Sequence, residues 1–269
     1  MSKFLTIIFV FLAITLVAQD QVNHTDALGR KQGWWQKKQD NGKLLYEGLF
    51  KDDEPVGEFK RYHPNGVIKA VINYPETSDS AQAKLFDERG MLIAAGVYVN
   101  QKKAGKWIYY QDKKLIGEEF YIDGLKNGKS KTYYPTGELL EEADWVDNLK
   151  NGIYRVYTKN GKAYFECGMI AGKNDGFCQV FHENGELQME AFYRQNLRHD
   201  TWKFYDDQGN LSYELIYDMG ELMNPEVRDS IDQIQLQEME ENKSKLIDPE
   251  KFIDNPMEYL KDPLSPDKL

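Results

Sequence analysis

The sequence predicts an all-β repeat array: an antiparallel meander of about eight hairpins, each about 24 residues long, closed by a short α-helical C-terminal tail. Three observations predict it. Glycine recurs at Gly33, Gly57, Gly105, Gly128, Gly152 and Gly176, spaced 24, 48, 23, 24 and 24 residues apart, and Ala81 and Asp200 fill the two missing beats. A second glycine runs nine residues behind, at Gly42, Gly66, Gly90, Gly137, Gly161, Gly185 and Gly209, usually inside Asn-Gly or a near relative. One beat near 114 lacks it, together with one residue. Aromatic residues keep the same period. Trp35, Phe59, Trp107, Tyr154 and Trp202 stand two residues past the beat, and Tyr62, Phe86, Tyr110, Tyr133, Tyr157, Phe181 and Tyr205 stand five past it. Phe50, Tyr74, Tyr98, Tyr121, Trp145, Tyr193 and Tyr217 close the units.

Each unit is too short for a pair of helices, and Asn-Gly between β-branched and aromatic residues is a strong hairpin signal. The first strand reads GEFKRY, GKWIYY or GIYRVY, and the second reads KLLYEGLF, AYFECGM or LSYELIY. A lone hairpin is marginal in water, so the ring columns are expected to bury themselves on those of neighbouring units. Positions two apart on a strand share a face, which sets small Gly48, Gly96, Ala143 and Ala191 beside Phe50, Tyr98, Trp145 and Tyr193. Their facing partners are Phe59, Trp107, Tyr154 and Trp202, while bulky Ile72 faces small Ala83. On the other face Lys131, Arg155 and Lys203 meet Glu142, Glu166 and Glu214 if the Asn-Gly turn has two residues. Pro64 and Pro135 before the turn fit a three-residue loop better. Such exposed pairs contribute roughly 0.2–1 kcal/mol each. About sixteen strands spaced about 4.8 Å apart give a mostly single-layer sheet on the order of 75 Å long.

The ends differ from the middle. Lys3 precedes an apolar run from Phe4 to Ala18, the layout of a secretory signal peptide, assigned to residues 1–19. The run is short for a membrane span, so the mature chain is expected to lack one and to work in the periplasm, at the cell surface or as a secreted protein. No cysteine follows it, which argues against a lipid-modified N-terminus. Residues 20–27 are assigned to a linker, 28–222 to the repeats and 223–269 to an acidic, helical and partly disordered tail. Asn224, Pro225 and Glu226 read as a helix cap, a first-turn proline and an acid at the positive helix end. Val227, Ile231 and Ile234 follow at helical spacing, suited to covering the last strand edge or, alternatively, to docking on a partner.

A formal charge of −10 and scattered basic residues argue against nucleic acid and against an anionic membrane surface. Cys167 and Cys178 fall on the closing strand of one unit and the opening strand of the next, where they face each other as a disulfide or as two buried thiols. His24, His63, His182 and His199 form no triad or metal spacing, and His63 and His182 occupy one exposed position beside the turn. Glu119, Ser130, Thr132 and Glu141 are candidates for a polar cluster where the shortened unit interrupts the ring columns. No catalytic, metal or cofactor-binding residues are expected, and no enzyme.

The unit G-x-W/F/Y-x-x-Y-x-x-N-G-(x)-L, closed by an aromatic residue and a polar loop, resembles the bacterial variant of the MORN repeat over residues 28–222. Proteins of that kind are often catalogued as YwqK-type antitoxins. The resemblance implies a hairpin array used for binding or scaffolding and brings no catalytic residues. The expectation is therefore an exported, monomeric, non-enzymatic scaffold that binds another protein or a cell-envelope polymer through its aromatic sheet. Trp35, Phe59, Trp107, Tyr154, Trp202, Tyr98, Trp145, Tyr193 and Tyr217 are the candidate binding-surface or packing residues. The alternatives are an antitoxin or immunity protein, which the export signal suits poorly, and a carbohydrate-binding module that stacks sugars on exposed rings.

Overall fold

A computed structural model describes residues 22–243; the segment expected as a signal peptide and the tail from residue 244 lie outside the described residues. Among the described residues the fold is an all-β array of antiparallel hairpins with one helix, Pro225–Lys243. Two compact units divide it. The first holds the residues up to Ile116 with Tyr121–Gly124, and the second Gly117–Phe120 with the residues from Leu125 onward.

Numbered along the chain, the first unit contains hairpins one to three: Lys31–Lys38 with Leu44–Lys51, Glu54–Tyr62 with Ile68–Tyr74, and Ser80–Phe86 with Leu92–Val99. The fourth hairpin is Lys102–Gln111 with Lys114–Ile122. The second unit holds hairpins five to eight: Gly128–Tyr133 with Leu139–Val146, Leu149–Tyr157 with Ala163–Ile170, Lys173–Phe181 with Leu187–Arg194, and Leu197–Tyr205 with Leu211–Asp218.

The Asn-Gly loops have three residues, not two. In the sixth hairpin the Thr158 N–H donates to the Lys162 carbonyl and the Gly161 N–H to the Thr158 carbonyl, with Gly161 at φ 78°. A type I turn followed by a left-handed glycine produces that pattern and leaves a bulge, found between Val156 and Tyr157. The bulge absorbs the extra residue. Lys131, Arg155 and Lys203 therefore still lie opposite Glu142, Glu166 and Glu214. Tight two-residue turns sit between hairpins instead, as at Asp52-Asp53, Asp147-Asn148 and Gln195-Asn196, where both residues take positive φ. The fourth hairpin uses such a turn at its own tip, Asp112-Lys113, which accounts for the missing glycine and the lost residue.

The leading glycine has its own cause. Gly33, Gly105 and Asp200 take φ values of 70°, 62° and 62°, a conformation glycine adopts freely and aspartate tolerates. It marks a second irregularity, at which the opening strand carries extra residues: Cys167 pairs with Cys178, but Met169 already pairs with Asn174. The third hairpin is the exception. Ala81 is absent from the positive-φ residues, and the ladder runs on in step, with Ile72 opposite Ala83 and Asn73 opposite Gln82.

Successive copies are also tied sideways. The N–H groups of Asp53, Asn148, Gly172, Asn196 and Gly220 donate to the carbonyls of Lys31, Lys126, Lys150, Asn174 and Arg198. At the hairpin tips the Asn65 and Asn184 side chains accept from the Val67 and Glu186 N–H groups and donate to the Glu88 and Asp207 carbonyls. His63 and His182, expected to be exposed, are half-buried, and their Nε2–H groups donate to the Phe86 and Tyr205 carbonyls.

Two expectations about the ends need correction. The presumed linker contains a strand, His24–Thr25, paired with Gln32 and Lys31, because the Asn23 N–H donates to the Trp34 carbonyl and draws the segment onto the sheet. The Asn224 side chain does not cap the helix. It accepts from the Ile216 N–H and donates to the Glu214 carbonyl, so it satisfies the strand Leu211–Asp218. Only the start of the helix packs on the sheet, through Val227; Ile234, Leu236 and Met239 are exposed. The edge is held by the short strand Glu221–Leu222, by the Met223 N–H on the Ile216 carbonyl, by the Asn224 amide and by Val227, rather than by a helix laid along it.

Candidate functional site

Within each compact unit the candidate aromatics lie on one face, and none of the nine is exposed. Trp107 has no accessible surface, and Trp202 and Tyr217 are about as deeply covered. They take the packing role, one of the two expected for them, and Tyr98 also lines a groove on the second and third hairpins. Trp107 stands 5.0 Å from Tyr98 and Trp202 stands 5.0 Å from Tyr193 and 5.2 Å from Tyr217, at tilted or edge-on angles. Small partners make the room, since a Cβ on Gly48 or Gly96 would run into the Phe59 or Trp107 ring. The bulges provide the acceptors. The indole N–H of Trp107 donates to the Val97 carbonyl and that of Trp202 to the Phe192 carbonyl, both freed where the ladder slips.

The face carries a second repeating element that the sequence reading missed: a cation two residues before the beat. Lys103 Nζ lies 4.6 Å from the Trp107 ring and 4.8 Å from that of Tyr121. Lys31 lies over Trp35 and Phe50, Lys126 over Trp145, and Arg198 over Trp202 and Tyr217. Lys150 Nζ is 3.2 Å from the Tyr154 ring centroid, and burial pushes its ammonium below the ordinary value. Four ring-and-cation pairs share one spacing: Lys31 with Trp35, Lys103 with Trp107, Lys150 with Tyr154 and Arg198 with Trp202. A basic residue recurring four positions ahead of Trp or Tyr was the available signal.

The polar cluster forms with some of its expected members. Thr132 donates to Glu141, which also accepts from the Tyr154 hydroxyl at 3.0 Å, while Ser130 accepts from the Trp145 indole at 2.7 Å. Burial and the Glu141 bond together push the Tyr154 hydroxyl up to about 12. Glu119 pairs with Lys126. Each of these groups thus has a partner, and Ser130, which stands where other copies carry a ring, is held by the Trp145 indole. Cys167 and Cys178 pair across adjacent strands, are bonded to each other, and lie beneath Tyr154, Phe165 and Tyr193.

The second and third hairpins are different. There a groove of about 1350 Å³ opens, floored by Ala70, Ile72 and Ala81 and flanked by Tyr74 and Tyr98. The repeat departs from its pattern here in sequence: Ala83, buried outside the lining, stands where a ring is due, and Asp79, in the lining, stands two before the beat where other copies carry a cation. The lining holds six carboxylates, including Asp79, Glu76 and Asp52, against three fixed cations, Lys51, Arg61 and Lys69. Burial raises the hydroxyl pKa values of both Tyr74 and Tyr98, so both stay neutral at ordinary pH.

No curated protein matches the chain. Among solved structures, a mutant TarM of S. aureus overlaps at 16% identity and a TM-score of 0.22, covering 48% of this chain and 22% of that one. The TcdB2-TccC3 structure overlaps at 12% identity and a TM-score of 0.22, covering 74% of this chain and 14% of that one. The chain thus spans less than a quarter of either protein, and overlaps this loose carry no argument about function. The family model described as MORN repeat variant matches residues 55–74, 126–147 and 175–195. Each match falls on one hairpin, the second, the fifth and the seventh. With the same beat, loop and ring positions recurring in the hairpins between them, the chain carries an array of MORN repeat variants.

Proposed function

We propose that the chain is an exported, non-enzymatic repeat scaffold that binds another protein or a cell-envelope polymer, and that it does so through the groove on its second and third hairpins. The observation that carries this reading is the interruption of the ring face. The rings elsewhere are occupied in packing, whereas the groove offers the half-buried surfaces of Ile72, Tyr74 and Tyr98 over buried Ala70 and Ala81, with charged groups of both signs in its lining. Apolar concavities with a few placed polar groups are where proteins receive ligands. The repeat supports the reading further, since stacked hairpins hold such a groove on a rigid frame.

The test is capture from envelope extract by the chain beginning at Asp20, with parallel extracts treated with protease or with polymer-degrading enzymes. Saturable retention of one component, abolished by one of the two treatments, is the expected result. Saturable retention of nothing from any extract would sink the reading. Export is tested separately by fusing residues 1–19 to alkaline phosphatase. Phosphatase activity outside the cytoplasm is expected, and none would remove the localisation.

A further inference from the structure

We propose that the face of the sixth to eighth hairpins opposite their ring columns docks on the same face of a second copy of this chain, giving a twofold dimer in place of the monomer expected from the sequence. The surface lies within the second compact unit and is independent of the groove. One residue past the beat stand Ile153, Phe177 and Thr201, opposite Gly168, Phe192 and Ile216 on the closing strands. Phe177 is 63% exposed and Ile216 44%, and the Phe177 and Phe192 rings meet edge-on at 5.1 Å. Ile170 and Leu197, exposed as well, extend the apolar surface toward the turns between hairpins. The repeat does not require apolar residues here. The same pair is Glu58 with Asn73 in the second hairpin and Lys129 with Asp144 in the fifth. The first hairpin has one apolar pair, Trp34 with Leu49, but its neighbour does not continue it.

The adjoining row selects the occupant. Two residues along each strand, on the same face, the pairing runs unbroken through Arg155, Glu166, Gln179, Glu190, Lys203 and Glu214. Taken from its two ends, this row is its own complement. A half-turn about an axis along the strands, between Gln179 and Glu190, sets Arg155 of one copy against Glu214 of the other and Glu166 against Lys203. The same half-turn sets Phe177 against Phe192, Ile153 against Ile216, and Thr201 against Gly168, where no side chain stands. Within the chain Arg155 already holds Glu166, so the second copy extends that pair at both ends into four alternating charges. Lys173 and Arg194 also come together, but this like-charge pair is exposed at the rim, where water and salt screen it. Six strands about 4.8 Å apart, each about 27 Å long, present on the order of 750 Å². A standard interface takes about 800 Å² from each partner. A partner of other sequence would use the apolar surface and leave the self-matching charges without a role.

The experiment is sedimentation equilibrium of the chain from Asp20. A reversible dimer with a Kd below about 100 μM is expected, and Phe177→Lys, at an exposed site, should raise that Kd at least about tenfold without moving the thermal melting curve. Lys203→Glu and Glu166→Lys should each weaken self-association. An equimolar mixture of the two should recover it, because their heterodimer regains an opposite pair at both contacts. Asp40→Lys, on the first hairpin, should change nothing. A chain that stays monomeric at about 100 μM, a dimer undisturbed by Phe177→Lys, or a mixture no more associated than its components overturns the proposal. A full chain that stays monomeric while the chain ending at Lys243 dimerises assigns the face to the chain's own tail and overturns it too.

Discussion

The third and seventh hairpins lose the same ring, to Ala83 and Cys178, and compensate in opposite ways. The seventh keeps its left-handed Gly176 and the slipped ladder, and closes the space with a pair of sulfurs whose residues are 0% and 1% exposed. The third drops the left-handed residue, keeps its ladder in step and sets the small residues Ala70, Ala81, Ala83 and Ala94 close together. The comparison teaches that the repeat needs filled volume and continuous pairing, and that a ring is only the usual way to provide both. In the third hairpin the volume comes from Ile72, which packs with Ala83, Ala94 and Trp107.

The strongest test empties a filled copy. Trp107→Ala removes a fully covered ring and leaves the Val97 carbonyl without its donor, so urea unfolding should show a loss of about 3–5 kcal/mol. A loss below about 1 kcal/mol would mean that rings do not hold copies together. Replacing Cys167 and Cys178 with Ala opens a loop closed over a separation of 11 residues and should cost about 2–3 kcal/mol by the same measurement. Ala83→Trp refills the third hairpin, yet with no bulge to admit the indole it should destabilise by about 1–3 kcal/mol. A gain in melting temperature would show instead that the vacancy is mere tolerance. Lys103→Met keeps the stem and removes the charge over Trp107 and Tyr121, for an expected loss of about 1 kcal/mol.

The smallest effect lies on the opposite face. Burial alone would raise the Glu142 carboxyl, but the bond from Tyr157, the charge of Lys129, and Arg155 hold it below its ordinary 4.5. A depressed carboxyl contributes stability that is present above its unfolded pKa and lost as pH falls through the folded one. Between about pH 5 and pH 3 the natural chain should therefore lose roughly 0.5 kcal/mol more than Glu142→Gln. An identical pH profile for the two would show the charge row to be inert.

Much of this fold was legible because its period is written in residues with few other uses. Glycine beats, Asn-Gly nine behind them and rings at fixed offsets specify hairpins, and small-against-large pairs such as Gly48 with Phe59 fix which face packs. The ring-stacking lysines escaped notice because Lys103 and Lys126 lie in polar stretches such as QKKAGK and LKNGKS, where a basic residue reads as solvated. Asn224 and His63 escaped it for a related reason. Their partners are carbonyls made available by tertiary pairing, and no local spacing announces them. The groove was legible only in part. Ala81 and Ala83 were visible as departures, but that Ala81 forgoes the left-handed turn and keeps the ladder in step is a matter of backbone geometry.

The sideways hydrogen bonds between successive turns have a consequence for how such a chain can change. Because Asn148, Gly172, Asn196 and Gly220 reach back to Lys126, Lys150, Asn174 and Arg198, these copies are indexed to the ones before them by 22 residues, while Asn100 to Asp79 and Gly124 to Lys103 span 21. Cutting out or inserting one complete period rejoins equivalent atoms, whereas a single added residue in a strand must be taken up locally by a bulge or a changed turn, as between Val156 and Tyr157. Copy number is thus the natural variable of this architecture, and duplication its least disruptive mutation.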